Sequence, residues 1–456
     1  MKRRDFFTGT ALIGASIPLG VAPLMTSCSG NDSKGKKKTS YTPEQLGMPS
    51  FNAQAADGKP LKAGLIGCGY RGTGAAAQFL SAGNDLSVVA LADVFEDRQQ
   101  TCREILLEKK NNKVEDSMCF LGFDAYKKLL EQDIDVVLIA TPNHFHPDHF
   151  KAAVEAGKHV FMEKPAGVDP VGVRTVLVAA KQAEAMGLTV ITGNERRHRL
   201  DYWKSYLQIK NGAIGDVLSA TAHWNQGSWW NKTVRQNWSD MEYNLRNWSN
   251  IKWLCGDLLL EQTVHNIDVA SWFTGWLPET AVGFGGRARR TTGDIYDFFS
   301  VDYRYTGNKR MLATGRQIDG CDKNVSVSVM GTEGVLYIGG KDAKIENARI
   351  ENFDGEVLWT YDYEAHPVVD GHVQEHVHLV ESIRQNQKVN QAEDLALTTL
   401  VSILGREAAY TGQELTWDEI MASELRYGPT EYAMGPLPGY EEGVAPLPGR
   451  DFNASL

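Results

Sequence analysis

Short apolar runs set apart by mixed, helix-length stretches dominate the first half of the chain. Ala63–Gly67, Ser87–Asp93, Asp135–Thr141 and His159–Glu163 are such runs, and Leu188–Thr192 is a fifth. Between them, residues 74–83, 98–109 and 149–157 have helical character. Continuous apolar, β-branched runs do not alternate, so both faces of these strands are expected to be covered. That pattern predicts a parallel sheet with helices on either side. The second half reads differently. Residues 217–223, 280–287, 298–305, 310–316, 324–330 and 335–338 look like strands that follow one another without regular helices. Such an order predicts a largely antiparallel sheet. Helical stretches follow over 374–384 and 392–411, and the Pro- and Gly-rich tail beyond Arg426 predicts an extended arm.

The chain has 456 residues. At about 100–200 residues per domain, two domains are expected. The boundaries read as an N-terminal signal over 1–28, a linker over 29–59, a first domain over 60–192, a second over 193–425, and the arm over 426–456. The signal carries a twin arginine, Arg3-Arg4, followed by an apolar stretch from Ala11 to Met25. This length is short for a membrane span and suits export by the twin-arginine route, which carries folded proteins. The segment Leu24-Met-Thr-Ser-Cys28 resembles a lipoprotein cleavage box. Lipidation of Cys28 would anchor the mature protein to a membrane without spanning it; ordinary peptidase cleavage nearby is the alternative. The expected location is therefore periplasmic or anchored to the cell envelope. Residues 29–40, rich in Gly, Ser and Lys, read as a tether.

Charge and cysteines narrow the chemistry. A net charge of −10 argues against a nucleic-acid partner. Setting Cys28 aside leaves five cysteines, none in a Cys-x-x-Cys pair, so neither a zinc site nor a disulfide framework is suggested and no metal is expected.

Three motifs stand at the carboxyl ends of the predicted parallel strands, where such sheets bind ligands. The first is Gly67-Cys68-Gly69-Tyr70-Arg71-Gly72, placed after a strand and at the start of a helix. Gly67 permits a tight turn, Gly69 lets backbone approach a pyrophosphate at the helix N-terminus, and Gly72 lets helix and strand pack closely. Asp93 ends the next strand, where a carboxylate binds a ribose 2′-hydroxyl and repels a 2′-phosphate. The implied cofactor is NAD rather than NADP, in a Rossmann domain. The second motif is Thr141-Pro-Asn143-His144-Phe-His146 and the third Glu163-Lys164-Pro165. A lysine beside a positive nicotinamide ring is expected to have a lowered pKa and to help remove a hydroxyl proton.

Together these segments resemble the Gfo/Idh/MocA oxidoreductases, a family that includes glucose–fructose oxidoreductase and inositol dehydrogenase. The resemblance covers roughly residues 60 to 425. It implies an NAD(P)-binding Rossmann domain joined to an α+β domain with an open, largely antiparallel sheet. It also implies that Lys164 is catalytic and that Thr141, Asn143, His146 and Glu163 join the glycine loop around the cofactor. The family's Asp-x-x-x-His motif has its counterpart in Glu261-Gln-Thr-Val-His265, followed by Asn266-Ile-Asp268. On a helix, positions four apart share one face, so Glu261 and His265 can enter one cleft. His265 reads as a general base active near neutral pH, with Glu261 and Asp268 orienting it and Asp268 also a candidate substrate contact. Glu261 stands where Asp is commoner, which leaves open whether it touches substrate.

Further substrate contacts are sought in two places. In Gly193-Asn-Glu-Arg196-Arg197-His198 either arginine could reach the site, and Arg197 is the candidate chosen. Residues 224–253 hold six of the eleven tryptophans, Trp224 and Trp230 among them, interleaved with Asn, Gln and Arg. Such rings suit sugar faces, and equally a self-packed insertion or the interface of a homo-oligomer. The expectation is an NAD-dependent dehydrogenase acting on a sugar, glycoside or polyol hydroxyl. Two alternatives stand beside it. One is a redox-neutral NAD-dependent glycosidase like those of glycoside hydrolase family 109. The other is a sugar-binding protein that merely retains NAD.

Overall fold

A computed structural model describes residues 40–228, 237–341, 347–439 and 443–449. Strands β1 (Leu61–Ile66), β2 (Leu86–Asp93), β3 (Cys119–Leu121), β4 (Val136–Ile139), β5 (His159–Met162) and β6 (Val190–Thr192) form one sheet in the order β3-β2-β1-β4-β5-β6. Every neighbouring pair in it is parallel. The strand order reverses between β1 and β4, and the crevice at that reversal is where such sheets hold a ligand. Helices α1 (Tyr70–Ser81), α2 (Glu96–Lys110), α3 (Ala125–Leu130), α4 (His146–Glu155) and α5 (Pro170–Met186) connect the strands. All four residues of β4 are buried, as expected for a strand covered on both faces.

The second sheet has nine strands. In chain order they are β7 (Val217–Gln226), β8 (Thr280–Gly286), β9 (Phe298–Tyr305), β10 (Lys309–Gln317), β11 (Asn324–Gly331), β12 (Val335–Gly340), β13 (Arg349–Glu351), β14 (Val357–Thr360) and β15 (Leu415–Thr416). Their order in space is β14-β13-β12-β11-β7-β10-β9-β8-β15. Only β7 and β10 pair in parallel; the other neighbours are antiparallel. Here the residues alternate. On β7, Ala220, Ala222 and Trp224 are buried, whereas Ser219, Thr221 and His223 are half-buried on the other face. One face of the sheet therefore faces a core and the other does not, as antiparallel sheets permit.

Helix α6 (Leu200–Lys210) lies between the two sheets in sequence, and helices α7 (Asp240–Arg246), α8 (Lys252–Cys255) and α9 (Val264–Thr274) lie between β7 and β8. Helices α10 (Gly371–Arg384), α11 (Ala392–Thr411) and α12 (Trp417–Ala422) follow β14. Helix α11 packs on β8 and on α5, joining the two layers. Helix α10 lies within 193–425 by sequence, yet its Val377, Leu379 and Val380 pack with Ala63, Leu65 and Phe161 of the first domain. The Rossmann core is thus completed by a helix that returns to it from the far end of the chain. The described part of the arm beyond Arg426 has no helix or strand. Leu437 joins a small third cluster with Phe145, Trp253 and Leu254, and Tyr432 packs against it. None of the described helices is long and apolar enough to cross a membrane.

Candidate active site

The glycine loop has the shape its sequence demands. Gly67 follows β1 with φ +95°, a conformation L side chains rarely adopt, and a Cβ there would meet the Ala140 carbonyl at 2.6 Å. A Cβ on Gly72 would stand 1.8 Å from the Gly67 carbonyl oxygen. Gly69 is the N-cap of α1, has open space where a Cβ would be, and provides no side-chain cap. The first N–H groups of α1 are therefore available to an anion, and these residues fit a dinucleotide pyrophosphate. Asp93 ends β2 beside this loop. Its Oδ2 accepts from the Cys68 N–H at 2.6 Å and its Oδ1 from the Phe95 N–H at 2.8 Å. Burial raises its pKa, against the pull of those donors. Cys68 is buried, whereas Tyr70 is 95% exposed.

The two strand-end motifs meet the second domain. Asn143 is buried and donates through Nδ2 to the Cys255 carbonyl and to Glu261 Oε2, both at 2.8 Å. Lys164 Nζ donates to the main-chain carbonyl of Glu261 and to its Oε1, the latter at 3.2 Å. Glu261 thus clasps both motifs. It stands in a π-helical turn, Leu259–Thr263, that runs into α9. Glu261 and His265 therefore do not share one regular α-helix; π-turns of this kind are frequent at functional sites. Burial raises the pKa of Glu261, partly offset by Lys164 and Asn143.

His265 stacks on Trp224, with ring centroids 5.3 Å apart and planes at 26°. The Arg196 guanidinium lies over the same indole at 5.0 Å. Burial, then the charges of Lys164 and Arg196, push the pKa of His265 well below its ordinary value, so the ring is neutral. Glu163 sits behind Lys164 in a pair with Arg71. Burial alone would raise its pKa, but Arg71 and Lys164 outweigh it and hold the carboxylate ionised.

Several expectations need correcting. His146 is fully buried, with Nδ1 2.7 Å from the Pro165 carbonyl and Nε2 2.8 Å from the Thr141 carbonyl. It ties the two strand-end loops together from behind and has no surface left for a cofactor. The Thr141 hydroxyl is bonded to His149 Nδ1 at 3.2 Å, and His144 Nε2 to the Tyr432 hydroxyl at 2.7 Å. Asp268 does not orient His265. It forms a two-pronged ion pair with Arg197, Oδ2 to Nε at 2.8 Å and Oδ1 to Nη2 at 2.9 Å, so neither charge is free for a substrate. Arg196, the other arginine of that segment, is the one beside Trp224. Trp230, like Arg3, Arg4 and Cys28, lies outside the described residues.

Sequence reasoning did not reach Glu375 and His372 on α10. Glu375 pairs with Arg71 at 2.9 Å. His372, bonded to Asp370 at 3.1 Å, is close enough for its charge to act on His265 and Glu163. No local signal marks Glu375, because its partner Arg71 lies 304 positions away. Among the described residues no group of three or more His, Cys, Asp or Glu side chains could hold a metal ion.

Comparison with known proteins places the chain in a family. Residues 61–192 match the profile of an oxidoreductase family with an NAD-binding Rossmann fold, and residues 207–337 match the GFO/IDH/MocA C-terminal domain. The chain is 31% identical over 168 residues to D-glucoside 3-dehydrogenase of Escherichia coli, which covers 37% of this chain and 44% of that protein. It is 26% identical over 292 residues to 2,7-anhydro-N-acetylneuraminate hydratase of the same organism, covering 61% and 70%. The match thus spans less than half of the glucoside dehydrogenase. Among solved structures, scyllo-inositol dehydrogenase from Lactobacillus casei with bound NAD(H) and scyllo-inositol is similar in fold, with a TM-score of 0.59 and 19% identity over 79% of this chain and all of that one.

Proposed function

The chain belongs to the Gfo/Idh/MocA oxidoreductases and has their NAD-binding Rossmann domain, and on that premise we propose that it transfers a hydride between a secondary hydroxyl carbon of a sugar, glycoside or polyol and NAD. One observation carries the reading. Lys164 from the end of β5, Asn143 from the end of β4 and Glu261 from the second domain converge on one another. Buried polar groups drawn together across a domain junction at the carboxyl ends of a parallel sheet mark a site.

The chemistry follows from the held atoms. Gly67–Gly72 and Asp93 would hold the dinucleotide, and NAD when bound supplies the hydride acceptor. Asn143 fixes the Glu261 carboxylate, and Glu261 fixes the Lys164 ammonium through two oxygens. So held, Lys164 points its remaining N–H toward a substrate hydroxyl and stabilises the alkoxide as it forms. His265, kept neutral by burial and neighbouring cations, takes the proton. Trp224, stacked on that ring, holds it in place.

A redox-neutral cycle is the second reading. One relative is named a hydratase, a reaction without net oxidation. Export through Arg3-Arg4 and anchoring at Cys28 belong to the same proposal, since free NAD is scarce outside the cytoplasm and a cycle that returns the hydride needs no fresh cofactor. A homo-oligomer is part of it as well. The test is incubation of purified protein with a panel of glycosides, free sugars and inositols, followed by mass spectrometry. A product two mass units lighter supports the dehydrogenase, cleavage or hydration without that loss supports the redox-neutral reading, and an unchanged panel with NAD firmly bound leaves the binding-protein alternative standing.

A further inference from the structure

Arg71 enters the glycine motif as a main-chain donor, but its side chain turns away from the loop. Nε donates to Glu163 Oε1, Nη1 to Gln78 Oε1 at 2.6 Å, and Nη2 to Glu375 Oε1 at 2.9 Å. Glu163 is buried, and Glu375 is buried completely. One guanidinium therefore lies between two carboxyl groups taken from water, Glu163 held ionised by Arg71 and Lys164 and Glu375 pushed toward its neutral form by burial. The second oxygen of Glu375 has no hydrogen-bond partner among the described residues. A buried oxygen left bare works against the fold, so its retention asks for a purpose other than packing.

The three corners come from distant parts of the chain: the first turn of α1, the end of β5 and the first turns of α10. Each has little room to move. Glu163 Oε2 would lie 2.6 Å from a Cβ at Gly193, so a side chain there would displace it. Gly371, one turn before Glu375, is equally tight against the Glu195 carbonyl at 2.5 Å. The arginine fork thus ties the loop that cradles the pyrophosphate to the loop that carries Lys164, and α10 holds the fork in register.

We propose that Glu375 is a positioning residue of the cofactor site: by holding the Arg71 fork it fixes the glycine loop and the Glu163–Lys164 loop relative to each other, and so retains NAD. The proposal rests on NAD binding alone and not on the substrate. Glu375 touches no cofactor atom itself; it acts through Arg71.

The test measures release of NADH from the holoprotein, by fluorescence after a chase with excess NAD⁺, in Glu375→Ala, Glu375→Gln and Val380→Ala. Val380 is a buried apolar residue of the same helix. Glu375→Ala is expected to release NADH about tenfold faster or more, because the fork loses a buried hydrogen-bond acceptor. Glu375→Gln is expected to stay close to wild type, since the amide oxygen still accepts from Nη2. Val380→Ala is expected to lower the thermal midpoint and leave the release rate unchanged. Three results would each overturn the proposal: a wild-type release rate in folded Glu375→Ala, a Gln variant as fast as the Ala variant, or a Val380→Ala variant as fast as either. Should Glu375→Ala fail to fold, Arg71→Lys decides. It keeps the charge and loses the fork, so it must release NADH faster, and a wild-type rate there rejects the assignment.

Discussion

Asp268→Ala separates a structural from a substrate-binding role at the residue where the two readings differ most. The Asp268 side chain is 2% exposed and that of Arg197 12%. Two hydrogen bonds join them, the Thr398 hydroxyl donates a third to Asp268 at 3.0 Å, and Arg197 also lies 5.4 Å over Trp272. Burial would lower the Arg197 pKa, but Asp268 and Asp394 reverse the sign and raise it. Removing Asp268 leaves a nearly buried guanidinium with Asp394 as its carboxylate partner, and the Asp394 side chain is 40% exposed. Breaking one side of a buried ion pair costs about 3–5 kcal/mol. The exposed Asp394 screens part of that charge, which points to the lower half of the range. Replacing both partners, as Arg197→Met with Asp268→Leu, is expected to cost less than Asp268→Ala alone, because no buried charge is left bare. The assay is urea unfolding followed by circular dichroism, with turnover corrected for the folded fraction. If Asp268 served the substrate, Asp268→Ala would lose less than about 1 kcal/mol and raise KM instead. That result would refute the structural assignment.

Other variants test the chemistry. Lys164→Ala and His265→Ala are each expected to lower single-turnover reduction of bound NAD⁺ by about 10²–10⁴, with the double variant little worse than the poorer single one. Full activity in either single variant would break the mechanism, whereas retained nucleotide in both would show that the glycine loop is intact. Asp93→Ala is expected to weaken NAD binding by about 1–3 kcal/mol, read by titration of nucleotide-stripped protein; unchanged affinity would remove Asp93 from the ribose. Acid stability follows from the buried histidines. Burial lowers His144 and His149 to about 3 each, so below the ordinary value near 6.5 the unfolded chain binds more protons than the folded one and stability falls with pH. At pH 5 each costs about 2 kcal/mol, and His144→Phe is expected to flatten urea midpoints between pH 7 and 5; an unchanged slope would place the titration elsewhere.

The first domain was legible because its signals are local. Continuous apolar runs must be covered on both faces, and Gly67, Gly69 and Gly72 are demanded by a turn, a close approach and a close packing that any sequence with that loop must meet. The alternating strands of the second domain were legible for a similar reason, since one-sided burial imposes a period of two. Roles set by tertiary partners were not. His146, Arg197 and Asp268 each stand within a few positions of a motif and share its polar character, but a side chain one turn from the site can face inward or backward, and only packing decides which. His146 faces two carbonyls, and Arg197 and Asp268 face each other. The same limit hid Glu375, whose meaning comes from an arginine 304 positions earlier. Glu261 lies between these cases. Its spacing to His265 marked it as part of the site, but the π-turn that carries it is not encoded in that spacing, and it changes the assignment. Glu261 reaches across to Lys164 and Asn143, away from the histidine, and so the longer carboxylate does not weaken the motif. It bonds the second domain to both strand-end loops of the first at once.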